Sequence, residues 1–457
     1  MVGAVAQPRA WRDLRAGGAR PRWHGAARPY GAAPVSWAGD DPPQARIAPP
    51  AFLSEAAPAA VLAALPGARA VGGCVRDALA GRAVHDVDVA APMPPEEIVA
   101  RLRAAGLKVF ETGLAHGTIT AVLAHHPVEV TALRRDIATD GRHAEVEWTT
   151  DWREDAARRD FRINAMSCDA AGNLWDYFGG REDLAAGRVL FVGDPSTRLA
   201  EDFLRALRFF RFWARYGRGA PDEAALAAIA ESIEGFRARI APERIWMELK
   251  RLLQAPDPVP AIALMEGTGL RAAALPEAGP TESLRRLVAL DAPHDPLLRL
   301  AAWLPFRAGV VPGLARRLRL SGEERARLMA LCESEAAPGR EPDDAALRRY
   351  LATRPRSQAL DEQWLAESRD GQDRGDLRAR LAEMDPPVFP LLGRDLLAQG
   401  IPPGPHVGAL LAALRSWWLE GGCTATRAEL LAELHRRKDT GAADGPAAPA
   451  GKTPAGT

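Results

Sequence analysis

The stretch VGGCVRDALAGRAVHDVDV, residues 71–89, decides how this chain is read. A short apolar run leads into Gly72 and Gly73, a helical stretch follows with Arg76 and Asp77, and then Asp86 and Asp88 stand one residue apart inside a second apolar run. In an extended strand alternate residues share a face, so Asp86 and Asp88 converge while Val87 and Val89 point to the opposite layer. Two carboxylates side by side repel each other unless a cation lies between them, and hard oxygen donors suit Mg²⁺ bound jointly with substrate phosphates. The two glycines let backbone N–H groups approach a triphosphate without a Cβ in the way, and Arg76 adds a fixed positive fork. Singly, GG is most often a turn and D-x-D two solvated acids. Ordered within a strand, turn, helix, strand pattern, they are what a nucleotide-polymerising site needs.

A third acid is required if metal ions are to hold both the attacking and the departing oxygen of an in-line displacement. Glu129 is the candidate: in HPVEVTALR, residues 126–134, Val128 and Val130 alternate against Glu129 and Thr131, so a second strand can bring this carboxylate beside Asp86 and Asp88. Short strands are expected at 68–72, 86–90, 117–123 and 128–133, alternating with helical stretches. They imply a small mixed sheet. From Thr197 onward the hydrophobic period is nearly all helical, broken at proline and glycine clusters near 255–260 and 276–280.

The order G-G-x-V-R-D, D-x-D and E-V-T-x-L-R continues into RRDFRINAM (158–166), GGREDL (179–184), EDFLRALRFFRF (201–212) and RIAPERIWMELKRLL (239–253). This series resembles the class II tRNA nucleotidyltransferase and poly(A) polymerase family, from about Ala68 to the mid 250s without a missing block. GRDLLAQGIPPGPHVG, 393–408, resembles the helical tail of its bacterial CCA-adding members. The resemblance implies an α+β protein: a small mixed β-sheet nucleotidyltransferase head, then an elongated all-α neck, body and tail. It divides the chain into an extension without regular structure (1–50), the head (51–195), a helical neck (196–270), a body and tail that support tRNA (271–437) and a loose terminal stretch (438–457).

Its implied chemistry is addition of the 3′-terminal CCA to tRNA from CTP and ATP, with Mg²⁺ held by Asp86, Asp88 and Glu129. Gly72, Gly73 and Arg76 are expected to stabilise the departing pyrophosphate. In the RRD motif, Arg158 and Arg159 suit phosphate oxygens and Asp160 suits ribose hydroxyls, while Asn164 is expected to tie the loop together. The family has Thr where this chain has Arg162, a departure that bears on local packing.

EDFLRALRFFRF carries the expectation for specificity. On one helix Asp202 and Arg205 are three apart and share a face, presenting an acceptor beside donors. Asp202 then accepts from the exocyclic amine of cytosine or adenine and Arg205 donates to the adjacent ring nitrogen, whereas uracil and guanine offer a carbonyl where a donor is needed. An isolated pair of this spacing is ordinarily a surface ion pair; the resemblance implies that it serves as an amino-acid template. Arg205, Arg208, Arg211, Arg215 and Arg218 recur every three or four residues, giving one basic helix face. Arg208 and Arg211 are assigned with the nucleotide, Arg215 and Arg218 with tRNA.

The whole chain balances 59 basic against 59 acidic side chains over 457 residues, so polyanionic RNA must be held by such local stripes rather than by a global field. Cys74, Cys168, Cys332 and Cys423 have no C-x-x-C spacing, arguing against a zinc site or disulfide framework and for a reducing cytoplasm. No apolar run reaches the roughly 18 residues of a membrane helix, and no obligatory protein partner is evident. The Arg, Ala, Pro and Gly rich first fifty residues lack a sustained period; they are poor in acids like a transit peptide but hold little Ser and no clear amphipathic helix. RRDIATDGRHAEVEW, 134–148, reads as a mobile loop beside the site; members restricted to CC addition lack a loop here. His294-Asp295 invites a metal-phosphohydrolase reading, but no further ligand set accompanies it. The competing functions are a poly(A) polymerase, an enzyme adding only the final A, and a catalytically silent RNA-binding module, for which the three retained acids are the contrary sign.

Overall fold

A computed structural model of the chain describes residues 41–113, 117–139, 144–307, 309–333 and 342–439. They fall into two compact units: one runs to residue 241 and takes in 261–274, the other holds 242–260 and the residues from 275 onward.

The first unit is built on a mixed sheet of β1 (Ala45–Arg46), β2 (Arg69–Val71), β3 (Asp88–Ala91), β4 (Lys108–Gly113), β5 (Thr118–Leu123), β6 (His126–Ala132), β9 (Ser167–Cys168) and β10 (Asn173–Trp175). A separate hairpin pairs β7 (Arg134–Thr139) with β8 (Ala144–Trp148). Across the sheet the order is β1-β10-β9-β2-β3-β6-β5-β4, and among these neighbours only β3 and β6 run parallel. Three helices follow or precede these strands: α1 (Ala56–Ala64), α2 (Gly73–Leu79) and α3 (Pro95–Ala104). Of them α1 and α3 pack on β5 and β6, and Val61, Ile98, Leu102, Ile119, Val89 and Val130 are all wholly enclosed. Each such side chain contributes roughly 1.5–3 kcal/mol. A one-residue slip of β3 would turn Asp86 and Asp88 into that apolar layer, so the same burial that stabilises the sheet fixes the face on which the carboxylates stand.

The four expected strands are present. The expectation of no regular structure to residue 50 fails for its last ten residues, because β1 adds to the sheet edge through Ala45 opposite Leu174. Asp41 is also tied in: it accepts from Arg69 (2.9 Å) and from the Tyr177 hydroxyl (2.5 Å), while Arg69 lies between the rings of Trp152 and Trp175. Residues 1–40 and 440–457 lie outside the described residues. The segment expected as a loop, 134–148, instead holds the paired strands β7 and β8, with 140–143 outside the described residues.

The remaining helices are α4 (Trp152–Ala157), α5 (Gly180–Ala186), α6 (Pro195–Glu201), α7 (Arg205–Tyr216), α8 (Glu223–Glu231), α9 (Ile233–Arg239), α10 (Pro242–Leu253), α11 (Val259–Gly267), α12 (Leu270–Ala274), α13 (Glu282–Ala289), α14 (Pro296–Trp303), α15 (Val310–Leu318), α16 (Gly322–Glu333), α17 (Asp344–Leu351) and α18 (Arg356–Asp370), then Gly375–Glu383, Gly393–Ala398, Pro405–Glu420 and Arg427–Asp439. The fold is therefore a β-sheet head followed by helices, as expected. In the second unit, fully buried Arg299 closes the end of α10 by donating to the carbonyls of Leu253 (2.7 Å), Ala255 and Pro256. Asp295 accepts from the N–H groups of Leu297 and Leu298 at the start of α14 and pairs with Arg327, which also holds Asp361 of α18. Asp295 is thus a helix cap and ion-pair anchor.

Candidate active site

Parallel pairing of β3 with β6 sets Asp88 directly opposite Glu129. The flanking Val87, Val89, Val128 and Val130 are buried, while Asp86 and Glu129 are exposed and Asp88 is half-buried. By alternation all three carboxylates share one face of the sheet. Asp86 and Val87 precede β3, but Val87 still accepts the Glu129 N–H (3.2 Å), which carries the ladder back toward Asp86. Burial, first, and then Glu129 push the Asp88 carboxyl above the usual aspartate range; Asp86 adds to this and Arg159 opposes it. Among the described residues no three His, Cys, Asp or Glu side chains are gathered into a ready-made metal cage. What the sheet supplies is a row of hard oxygen donors whose mutual repulsion a divalent cation relieves, a donor set that fits Mg²⁺ sharing its coordination with phosphate and water.

Beside this row stands the turn between β2 and α2. Gly72 has φ 71°, which its lack of a Cβ permits, and its N–H is used, donating to the Met166 carbonyl (3.1 Å). Its contribution is the turn itself and closeness: a Cβ there would stand 2.7 Å from Arg159 Nη1. Gly73 opens α2. Arg159 therefore lies against the glycine turn and within electrostatic reach of Asp88.

What aims Arg159 is a residue that sequence reasoning alone does not single out. Asp155, on α4 and buried, accepts from Arg158 Nε (3.0 Å) and Nη2 (2.7 Å) with one oxygen and from Arg159 Nη2 (3.3 Å) with the other. Burial alone would raise its carboxyl, but the two guanidiniums outweigh that and hold it below the usual range. A signal does exist in the chain, since Asp155 precedes Arg158 and Arg159 by three and four residues, the spacing at which helical side chains meet. Arg158 also donates to the Arg134 carbonyl (3.1 Å) at the start of the hairpin.

Asp160 and Asn164 are buried together. Asp160 accepts from Asn164 Nδ2 (2.9 Å), from the Phe161 N–H (2.9 Å) and from Arg208 Nε (2.7 Å) and Nη2. Burial pushes its carboxyl up, and Arg208 and Asn164 more than compensate, leaving it below the usual range. Arg76 is buried as well. It donates to Asn164 Oδ1 (2.5 Å) and grips Asp77 with Nε and Nη2. Arg162, the departure from the family pattern, donates to the Phe191 carbonyl (3.3 Å) and lies 3.9 Å from Asp183, so it does serve local packing.

The helix premise for base selection needs correction. Asp202 is not on a helix with Arg205: it sits in the break after α6, where its side chain accepts the Leu204 N–H (3.0 Å), and Arg205 is the first residue of α7. Arg205 pairs with Glu201 (2.5 Å), four residues earlier, and donates to the Arg198 carbonyl (3.0 Å). The local capping preference of Asp won over helix continuation. Arg205 remains next to the RRD loop, which it touches through the Arg158 carbonyl (3.3 Å). Further along α7, Arg211 stacks on Phe212 (4.1 Å), and Phe161, Phe191, Phe209 and Phe212 form the apolar joint between this helix and the head.

Arg215 and Arg218 lie at the far end of α7, where the ends of α2 and α5 also come together around a cavity of about 600 Å³. Arg82 and Arg181 line it too, and no Asp or Glu does. Arg82 donates to the Arg215 carbonyl (2.7 Å) and Arg218 to the Ala185 carbonyl (2.6 Å), as cations at helix C-termini do.

Among the described residues no helix is long and apolar enough to cross a membrane. Residues 68–190 match the family model described as the poly A polymerase head domain, and residues 220–280 match a probable RNA and SrmB-binding site of polymerase A. The mitochondrial CCA tRNA nucleotidyltransferase 1 of Danio rerio is 38% identical over 376 residues, covering 80% of this chain and 86% of that protein; its Homo sapiens counterpart is 35% identical with the same coverage. The crystal structure of the Bacillus stearothermophilus CCA-adding enzyme in complex with CTP superposes with a TM-score of 0.68 at 27% identity, over 85% of this chain and 99% of that one. Likeness of this extent, over both the head and the helices that follow it, means that the chain belongs to the class II tRNA nucleotidyltransferase and poly(A) polymerase family.

Proposed function

We propose that this chain adds or repairs the 3′-terminal CCA of tRNA, taking CTP and ATP as substrates and releasing pyrophosphate. The observation that carries the reading is the parallel register of Asp88 with Glu129, with Asp86 on the same face and the Gly72 turn and Arg159 alongside. It is supported by the names of the relatives, CCA tRNA nucleotidyltransferase and CCA-adding enzyme, and by the CTP in the superposed bacterial structure.

In this reading Asp86, Asp88 and Glu129 hold Mg²⁺. A Mg²⁺ ion held there would offset negative charge on the α-phosphate and would make the tRNA 3′ hydroxyl a better nucleophile. Gly72 and Gly73 keep side chains out of the triphosphate's path. Arg159, with Arg158, offers donors to phosphate oxygens that gain charge as pyrophosphate departs. Asp160, Asn164, Arg208 and Arg76 are already engaged with one another, so their contribution to the nucleotide site is to shape its wall and keep Arg211 and Arg205 in place. Asp202, in the break, and Arg205, just past it, read the amino and ring-nitrogen edge of the base. Arg215 and Arg218, with the cavity they line, take RNA phosphates. The four cysteines are free and buried, as a reducing cytoplasm allows, and that is the compartment proposed.

The test is incorporation of labelled CTP and ATP, separately and together with Mg²⁺, into tRNAs ending before CCA, after C and after CC. Ordered C, C, A addition is expected. The head-domain match favours one other reading, a poly(A) polymerase, which repeated adenosine addition to any RNA end would establish; adenosine added only to the CC-ended tRNA would mark an A-adding enzyme. Asp88→Asn is expected to abolish incorporation with tRNA binding retained. Unchanged incorporation would overturn the metal assignment.

A further inference from the structure

Several groups described above close into a circuit whose last members, Asp77 and Tyr216, the proposed chemistry does not use. It starts on α7, where Arg208 holds Asp160. Asp160 accepts from Asn164 (2.9 Å), Asn164 from Arg76 (2.5 Å), and Arg76 grips Asp77 through two nitrogens (3.2 and 2.9 Å). Asp77 then accepts the hydroxyl hydrogen of Tyr216, which is on α7 again. The Arg76 guanidinium lies 4.6 Å from the Tyr216 ring centroid and 5.1 Å from that of Phe212. Asp160, Asn164 and Arg76 are each no more than 8% exposed, so the circuit runs through low-dielectric interior where an unmade bond is costly.

Both ends are on one helix, at Arg208 and Tyr216, roughly 12 Å apart along its axis. A helix fastened at one point can still rotate and slide. Fastened at two, with Phe209 and Phe212 packed between them, it can do neither. The residue that begins this helix is Arg205, and Asp202 stands in the break just before it.

We infer that Asp77 and Tyr216 are positioning residues for base selection: their hydrogen bond, closed through Arg76 and Asn164, sets the rotation and register of α7 and thereby the placement of Arg205 and Asp202. This rests on the base-reading role proposed for that pair. Tyr216 stands roughly 17 Å along the helix from Arg205, and Asp77 acts on α7 through Tyr216. Their effect is on discrimination. Two hydrogen-bonding groups must meet a base edge within a few tenths of an ångström, and a small rotation of α7 weakens the right base more than the wrong one.

The experiment uses the full chain and two conservative variants. Tyr216→Phe removes only the hydroxyl and leaves the ring under Arg76; Asp77→Asn keeps the shape and removes the charge. Melting temperature is measured first, and single-nucleotide incorporation is then followed well below it, comparing CTP with UTP on tRNA lacking CCA and ATP with GTP on CC-ended tRNA. The expected result is a fall on the order of tenfold in the kcat/KM ratio of correct to incorrect nucleotide, the worth of one hydrogen bond to a charged group. Arg205→Ala is run alongside as the reference for lost base reading. Discrimination lost in Arg205→Ala but intact in both clamp variants overturns the positioning role alone. Discrimination intact in all three overturns the base-reading role and the clamp with it. A lowered melting temperature with all nucleotides slowed equally means that the circuit serves stability only, and it too overturns the inference.

Discussion

Asp155→Asn tests the claim that one buried carboxylate aims the arginines of the site. The side chain is 3% exposed, and its two oxygens divide the work: one faces Arg158 Nε and Nη2, the other Arg159 Nη2. Asparagine keeps the shape. Turned with its oxygen toward Arg158 it retains the shorter hydrogen bonds, but its NH₂ then faces the NH₂ of Arg159, donor against donor, and Arg159 keeps only its long bond to the Asn164 carbonyl (3.4 Å). Breaking a buried ion pair by removing one partner costs about 3–5 kcal/mol; here the arginines keep about a fifth of their side-chain surface in water, 19% and 22%, and one set of bonds survives. The cost is therefore placed at about 2 kcal/mol, which for a unit of this size lowers the melting temperature by roughly 4–8 °C. The loosened Arg159 is no longer held between Gly72 and Asp88, so kcat/KM for nucleotide should fall about a hundredfold, while KM for tRNA stays put. Thermal unfolding followed by circular dichroism and single-turnover incorporation measure the two effects. A variant with native melting temperature and native kcat/KM would refute the reasoning; a fall in stability with native catalysis at low temperature would refute the aiming role alone.

Three further outcomes are expected. Gly72→Ala forces a Cβ into a φ of 71° and to within 2.7 Å of Arg159; the backbone alone should cost roughly 1–2 kcal/mol, and nucleotide incorporation should fall even where the variant is fully folded, which unfolding curves and KM for CTP will show. Replacing Arg215 and Arg218 with Ala should raise KM for tRNA, leave KM for ATP unchanged and reduce the salt slope of tRNA binding by about one for each phosphate no longer neutralised; an unchanged slope would remove both from the RNA interface. Asp155 and Asp160 both ionise more easily folded than at the ordinary aspartate value of 3.8. Their stabilisation is fully present above that value and is lost as pH falls through the lower folded values, so stability measured by urea unfolding should be level at these sites near neutrality and decline below about pH 4, with a shallower decline in Asp155→Asn.

What can be read from the chain is the period-two pattern around the acids. Val87, Val89, Val128 and Val130 alternate with Asp86, Asp88 and Glu129, and burial of the one set dictates the exposure of the other, so the acidic face needs no tertiary information. The direction of pairing is not legible: β3 and β6 are far apart in sequence and parallel, and only the fold sets Asp88 opposite Glu129. The hairpin at 134–148 is obscured because its glycine suggests a loop more strongly than its alternation suggests strands, and Asp155 because its neighbours Arg153 and Glu154 make it look like one more solvated charge. The Asp202 and Arg205 helix pairing fails for a local reason. Glu201 is better placed to meet Arg205, and Asp202 caps the chain where α6 stops.

The arginines show why residue type alone does not assign roles. Arg76, Arg158, Arg159, Arg205 and Arg208 are all candidates for phosphate or base, yet each already holds a carboxylate within the first unit: Asp77, Asp155, Asp155, Glu201 and Asp160 in turn. A guanidinium has five donors in one plane, so a partner on one edge does not exhaust it. It removes the freedom to swing. An arginine so held presents its remaining N–H groups in a fixed direction and loses little entropy when a phosphate or base edge arrives, whereas a free one must be ordered at that moment. In the proposed choice between bases, made with no nucleic-acid template to pair against, the carboxylates behind the arginines are expected to decide the outcome as much as the arginines themselves. Removing any one of these acids should therefore degrade choice of nucleotide or its placement before it degrades the fold, and this order of failure separates a held set of arginines from a merely basic surface.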